Sequence, residues 1–364
     1  MKTLYVIGPR GINNTIGGIE IHCKEIYGRL KSLSKSNLKI VICLIDNKAH
    51  KDLAFNGCEL KYFKTVKVLG IEKFIYSLKS IFSAIINKAD IVHFQGLNGV
   101  YALPIAKIFG LKTVVTIHSR DYTYPKWSYL QKNFIKFAEY LSHLADEKIT
   151  VSKSDYKHFK KQTINLHYIA NGVSLKIDRF NFYNNRFSLQ SNNYIFTAAR
   201  FTEEKSLLEL INAFSKITND KIQLVIAGDG TSKYAQEFIQ RALETKRVIL
   251  VGSIFGDELL SLYNNASLFL LTSCKEQTVP LSLLEAMSVK TDILTSNLPQ
   301  ILPLHLPSSN IFEINNIDEL STKIDNLLAN PSSNEEIDRR YLYLKNNHNW
   351  DEAVEKIYGI YNGL

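Results

Sequence analysis

Short apolar runs alternate with helical periods along nearly the whole chain, and no other feature of the sequence constrains the fold as tightly. The spacing predicts strands at 3–8, 38–46, 59–63, 91–95, 113–117 and 148–151. Between them it predicts helices at 19–33, 71–87, 101–109 and 127–144. A polar, irregular stretch follows at 174–193, rich in asparagine. The alternation then restarts, with strands at 194–199, 222–228, 248–251, 268–272 and 292–295. Helices are predicted at 206–217, 231–243, 257–264 and 280–287, and the tail is helical at 317–329, 334–344 and 350–362. Strands that alternate with helices form βαβ units around a mostly parallel sheet. Two such runs in 364 residues predict two doubly wound α/β domains in tandem, joined near residue 185, each large enough to bury a core. The expected active site is the cleft between them.

Composition removes several classes of function. Hydrophobic content of 45% and charged content of 22% are ordinary for a soluble globular chain. The four cysteines, Cys23, Cys43, Cys58 and Cys274, form no C-x-x-C pair, so neither a zinc site nor a disulfide framework is indicated. Reduced thiols in a cytosolic protein are the simplest reading. No apolar run approaches the roughly 20 residues that span a bilayer. The amino terminus enters a strand pattern directly, with no signal-peptide pattern. The net charge of +9 suits an anionic partner: nucleic acid, anionic lipid or a phosphorylated substrate. No finger, RNP-like or basic-region motif is present, so nucleic acid is not expected.

The candidate chemistry lies at predicted strand ends, where open parallel sheets bind ligands. In the first half, Gly8-Pro9-Arg10-Gly11 follows the first strand, and Gly17-Gly18-Ile19-Glu20 opens a helix. Glycines there admit a close backbone approach, and a helix N-terminus favours anions. The glycine spacing fits neither a dinucleotide fingerprint nor a P-loop. His118 follows the strand at 113–117, in a ligand position or as a packing residue. His22, His93 and His143 are read as packing residues. In the second half, Arg200 and Lys205 stand beside a predicted helix N-terminus, which together would cradle a phosphate. Gly228-Asp229-Gly230 and Val251-Gly252-Ser253 end the next two strands. The last of these strand ends runs from Cys274 through Glu276, Gln277, Thr278 and Val279 to Pro280, placed in the first turn of a helix that carries Glu285. Cations beside carboxylates on one sheet edge imply a nucleotide-sugar-like ligand, with the cations on the diphosphate and a carboxylate on hydroxyls.

Over nearly its full length the chain resembles a family 4 glycosyltransferase of the two-domain GT-B fold. The residues that carry the resemblance are Gly17-Gly18-Ile19-Glu20, His118, Asn171-Gly172-Val173, Ala199-Arg200 with Glu204-Lys205-Ser206-Leu207-Leu208, Gly228-Asp229-Gly230, and Pro280 to Met287. The tail from Trp350-Asp351-Glu352-Ala353 to Tyr361 also fits. The amino-terminal pattern Gly8-Pro9-Arg10-Gly11-Ile12 with Gly17-Gly18 resembles a bacterial subset linked to surface polysaccharide, O-antigen or capsule. The resemblance implies two Rossmann-like domains facing across a cleft: 1–185, which takes the acceptor, and 186–349, which takes the nucleotide sugar. The tail, 350–364, crosses back to the first. It also implies transfer from a nucleoside diphosphate sugar, UDP by default, with retained configuration and no cofactor or metal. No Asp-x-Asp occurs in the chain. His118, Arg200, Lys205 and Glu276 would be catalytic. Gly17, Gly18, Gly228, Gly230, Gln277, Thr278, Val279 and Glu285 would bind the donor.

The chain departs from the family pattern in three places. The family commonly spaces its two carboxylates one position closer than Glu276 and Glu285, so either Glu276 or Gln277 faces the donor sugar. Lys290-Thr291-Asp292 replaces a Gly-x-Pro-like turn, and Leu298-Pro299-Gln300 replaces a glycine-rich loop. The implied acceptor is a polyprenyl-diphosphate-linked glycan. Lys61, Lys64, Lys67, Lys73 and Lys79 among Phe63, Phe74, Ile75 and Phe82 suit an anionic membrane surface. So do Lys126, Lys132 and Lys136 among Trp127, Tyr129, Phe134 and Phe137. Ordinary amphipathic helices packed on a sheet, with lysines outside, are the simpler reading of the same residues. A protein in the cytoplasm, peripheral on the inner face of the membrane, is the expectation. The other expectations are a soluble acceptor, or a catalytically degenerate protein that binds a glycan or a partner.

Overall fold

The computed structural model describes residues 1–12, 17–34, 37–46, 52–66, 71–123, 128–175, 187 and 189–364. The chain forms two compact units, Met1–Asn171 with Trp350–Leu364, and Gly172–Asn349. The expected junction near residue 185 lies outside the described residues; packing changes over at Asn171/Gly172.

Among its described residues the first unit holds eight strands: β1 (Lys2–Ile7), β2 (Leu38–Ile45), β3 (Ala54–Phe55), β4 (Cys58–Phe63), β5 (Ile91–Gln95), β6 (Lys112–Ile117), β7 (Glu147–Thr150) and β8 (Leu166–Tyr168). Their order is β3-β4-β2-β1-β5-β6-β7-β8, parallel throughout except for the β3–β4 hairpin. All five residues of β5 are buried, including His93 and Gln95. Burial on both faces is what helices on both sides of a parallel sheet impose. The final helix, Trp350–Gly363, belongs to this unit. It buries Trp350, Ala353, Val354, Ile357 and Tyr361 at helical spacing. Arg29 Nη1 pairs with Asp351 at 2.9 Å.

The second unit holds β9 (Tyr194–Ala198), β10 (Gln223–Ala227), β11 (Val248–Gly252), β12 (Leu268–Leu271), β13 (Ile293–Ser296) and β14 (Ile311–Phe312). They are parallel, in the order β11-β10-β9-β12-β13-β14. Both sheets therefore reverse direction once from their first strand. The switch points lie between β1 and β5 and between β9 and β12, where a doubly wound sheet opens a crevice at its carboxyl edge.

The two atypical loops of the second unit are integrated into its packing. Lys290 takes the left-handed conformation (φ 60°), and Thr291 Oγ1 donates to Tyr263 O at 2.7 Å. Asp292 forms a buried pair with Arg340 at 2.8 Å and accepts from Ser332 N. Leu298 and Ile301 are core residues, which accounts for a loop without glycine.

Candidate functional site

At the switch point of the first unit, Gly8 follows β1. A Cβ there would stand 2.1 Å from Gln95 O, and its φ is 138°. Only glycine lets the chain pass so close to β5. Gly17 caps the helix Gly18–Leu33. A Cβ on it would meet Glu20 Oε2 at 2.1 Å, whereas one on Gly18 would meet open space. Glu20 is buried and accepts from Arg10 Nε at 3.1 Å and Arg10 N at 3.3 Å. The carboxylate thus returns toward the helix N-terminus, where negative charge is favoured.

His118 lies just past β6. Its Nε2 is 2.8 Å from Gln95 Oε1, and its ring stands edge-to-face with His22 at 4.7 Å. Burial, and then the neighbouring His22 and His93, hold its pKa well below the usual imidazole value, so it is neutral at pH 7. His22 and His93, read as packing residues, are buried and hydrogen-bonded. His22 Nδ1 is 3.0 Å from Asn171 Oδ1, and burial lowers its pKa to about 4. His93 Nδ1 lies within 3.0 Å of Tyr27 Oη and 2.5 Å of Tyr361 Oη, and its Nε2 is 2.7 Å from Thr116 Oγ1. Gln95 Nε2 completes the cluster at 2.5 Å from Tyr27 Oη. No local sequence pattern reveals this cluster, because its members come from four elements.

At the switch point of the second unit, the loops after β9 and β12 are laced together. Thr272 Oγ1 donates to Lys205 O at 2.8 Å, and Cys274 N donates to Glu204 O at 3.0 Å. Lys205 Nζ forms an ion pair with Glu276, and both side chains are largely buried. Arg200 is the more exposed cation, with 52% of its side chain accessible and Glu204 Oε1 at 3.9 Å. One expectation is corrected here. The helix Leu207–Phe214 does not present its first amides to a phosphate, because Leu207 N and Leu208 N donate to Tyr234 Oη at 2.9 and 3.3 Å. An amide paired with a phenol is no longer one of the orphan donors of a helix end.

Gly228 (φ 138°) would bring a Cβ within 1.8 Å of Ala199 O, and Gly230 within 2.7 Å of Phe201 O. Both glycines are required by the approach of the β9 and β10 loops, which Phe201 N seals by donating to Asp229 O at 2.7 Å. Pro280 is the N-cap of the helix Leu281–Ser288 rather than part of its first turn. Its carbonyl accepts from Leu283 N and Leu284 N. Glu285, one turn in, accepts from Tyr263 Oη at 3.0 Å. Burial, and then Glu285, raise the Tyr263 pKa well above normal, so the phenol remains a donor. Thr278 Oγ1 turns back to Val279 O at 3.3 Å. Gln277 and Glu276 are both partly exposed in this loop, and Glu276 is the one paired with Lys205.

The first unit also carries an aromatic surface. In the helix Tyr129–Leu141 only Ala138 is buried. Leu130 is 79% exposed, Phe134 48% and Phe137 52%. Phe134 stacks on Tyr101 at 4.6 Å, and Tyr101 meets Phe74 at 6.3 Å. Lys67, Lys126 and Trp127, expected in the same surface, lie outside the described residues.

Two family models match, one to each part of the chain. Glycosyltransferase Family 4 matches residues 16–177, and Glycosyl transferases group 1 matches residues 181–341. No curated protein sequence matches. Among solved structures, a sucrose-phosphate synthase from Thermosynechococcus elongatus is similar with a TM-score of 0.82 and 15% identity, over 100% of this chain and 99% of that one. Anabaena HepE in complex with UDP-glucose gives a TM-score of 0.79 and 15% identity over 100% of both chains. The lipopolysaccharide outer core galactosyltransferase WaaB gives 0.61 and 19% identity over 98% of this chain and 99% of that one.

Proposed function

For a chain that belongs to the GT-B glycosyltransferases, with a family 4 region followed by a group 1 region, we propose retaining transfer of a hexose or related sugar from a UDP-sugar to a lipid-linked glycan. The bond from the anomeric carbon to the diphosphate breaks, and a bond to an acceptor hydroxyl forms on the same face. The hydroxyl proton leaves with the diphosphate. Arg200 and Lys205 offset the charge that develops on the leaving group, an interaction that strengthens toward the transition state. Glu285, oriented by Tyr263, takes the ribose hydroxyls, and His118 takes a sugar hydroxyl. Glu276 serves the donor sugar while it holds Lys205 in place, with Gln277, Thr278 and Val279 beside it. Gly17 and Gly18 let the backbone approach the donor and the acceptor. No metal is needed where two cations meet the diphosphate.

The observation that carries this proposal is the joining of the β9 and β12 loops at a switch point, with Lys205, Arg200 and Glu276 on them. The choice of UDP is supported by likeness to HepE, whose structure holds UDP-glucose. A lipopolysaccharide, O-antigen or capsule acceptor is supported by likeness to WaaB, a lipopolysaccharide galactosyltransferase. The test is thermal stabilisation by UDP-, GDP- and dTDP-sugars, since only ligands bound to the folded state raise stability. Donor turnover should then fall about 100-fold or more in Arg200→Ala. Equal turnover by wild type and variant would defeat these assignments.

We further propose that the protein works at the inner face of the membrane. Among the described residues no helix is long and apolar enough to cross a bilayer. The exposed Leu130, Phe134 and Phe137, with Lys132 and Lys136 on the same helix, suit an interfacial position instead. Binding to vesicles with anionic lipid should be lost with neutral lipid, weaken with salt, and weaken in Phe134→Ser/Phe137→Ser. Equal retention on neutral and anionic vesicles would count against it.

A further inference from the structure

We infer that Gln95 is a positioning residue that decides which nitrogen of His118 is offered to a ligand. Its side-chain carbonyl holds the proton on His118 Nε2 and leaves Nδ1 as a hydrogen-bond acceptor for a hydroxyl. The inference rests on the proposal that His118 faces the sugar.

Gln95 ends β5, pairs in register with Thr116 of β6, and is completely buried. Both ends of its amide are engaged: Oε1 with His118 Nε2 at 2.8 Å, and Nε2 with Tyr27 Oη at 2.5 Å. An amide can be turned end for end, so something must choose its direction. The choice is made deeper in the cluster. Two phenols, Tyr27 and Tyr361, converge on His93 Nδ1. Burial raises the pKa of both, so both are neutral and keep a proton to donate. The Gln95 amide nitrogen also lies 3.3 Å from His93 Nε2, which accepts from it and from Thr116 Oγ1 at 2.7 Å, so the His93 proton sits on Nδ1, toward the phenol oxygens. The Tyr27 hydrogen is directed toward Tyr361, and its oxygen accepts from the amide nitrogen of Gln95. The carbonyl of Gln95 then faces His118 and receives the Nε2 proton.

The last turn of the final helix, through Tyr361, thus contributes to the state of a ring at the carboxyl edge of the sheet. Among the described residues the hydrogen bond of the His118 ring is the one from Nε2 to Gln95 Oε1, and Nδ1 is left for a ligand. The groups around the ring are His22, edge-on at 4.7 Å from the helix Gly18–Leu33, and Gln95 and His93 from β5. None is a carboxylate, so nothing there favours an imidazolium.

The test uses the full chain with ¹⁵N-labelled histidine, the His118 signals being identified with His118→Asn. Wild type should show one neutral tautomer, protonated on Nε2, from pH 6 to 8. Gln95→Glu is isosteric and sets a carboxylate against the ring. It should convert His118 to the imidazolium near neutral pH. It should also lower kcat for donor turnover about tenfold, toward the lower end of what losing a ring-orienting partner costs, with less change in KM. Gln95→Leu should give a mixture of tautomers. Tyr27→Phe, which keeps the packing but removes the acceptor of the Gln95 amide, should do the same if the Gln95 variants fail to fold. An unchanged tautomer and titration in these variants would overturn the inference. A changed ring with unchanged turnover would uphold the role of Gln95 and instead remove His118 from the sugar.

Discussion

The two switch points use the same backbone device but opposite side-chain chemistry. Gly8 after β1 and Gly228 after β10 share a φ of 138°, and each lies against a carbonyl of a neighbouring strand end. In the first unit the polar groups that gather there are mainly imidazoles, phenols and an amide, most of them buried, with a single ion pair, Glu20 with Arg10, at the helix N-terminus. In the second they are Arg200, Lys205, Glu204 and Glu276, which keep some contact with solvent. Burial accounts for the difference. An imidazole or a phenol tolerates desolvation by staying neutral, whereas a cation meant for a diphosphate must remain charged and cannot be sunk without a partner. The first site is thus suited to uncharged hydroxyls and the second to phosphate.

Changing the shared device should have the largest effect of all. Gly8→Ala and Gly228→Ala each combine a disfavoured φ with a clash against backbone, so each should destabilise by roughly 3 kcal/mol or more. Chemical denaturation of the two variants measures this. If either tolerated alanine with a loss near that of Gly18→Ala, whose Cβ meets open space, the backbone comparison would fail.

How much of this could be read from sequence depended on how local each signal was. The long strands and helices are found close to their predicted limits, because apolar runs and helical periods are properties of neighbouring residues. The strands β3, β8 and β14 were not foreseen, being three residues or fewer, nor was the helix Lys153–Phe159, where only Asp155 and Phe159 are buried. The charged strand ends were legible as motifs. The groups that tune them were not. Tyr234 removes two amides from the expected phosphate cradle from 27 and 26 positions away, and Tyr361 reaches His93 across 268. His93 and Gln95 look like ordinary members of an apolar strand until their partners are known.

The comparison can next be sharpened with acid. Burial depresses the pKa of His22 to about 4, from an unfolded value near 6.5, so the unfolded chain binds the proton first as pH falls. Stability contributed by neutral His22 is complete above about pH 6.5 and is lost progressively down to about pH 4, on the order of 3 kcal/mol. His93 and His118 are shifted in the same direction and add to the loss. Trp350 is buried in the first unit, so its fluorescence reports on that unit. Denaturant midpoints from fluorescence should drop across this window, and His22→Gln should flatten the dependence. A midpoint independent of pH between 6.5 and 4 would mean that the buried ring is not neutral.

The smallest effect concerns the ion pair at the second switch point. Lys205 and Glu276 have only 15% and 13% of their side chains exposed, so each satisfies a charge that the other would otherwise leave stranded. Lys205→Met should cost about 2 kcal/mol of stability through the unpaired Glu276 carboxylate, less than a fully buried pair because some solvent reaches it. Glu276→Gln in the same chain should recover most of that loss, since the neutral amide needs no counter-charge. Donor turnover should not recover with it, because the cation for the diphosphate is still missing. Stability and activity would then separate in the double variant. If both returned together, Lys205 would be a structural partner of Glu276 alone, and Arg200 would be left as the cation that meets the diphosphate.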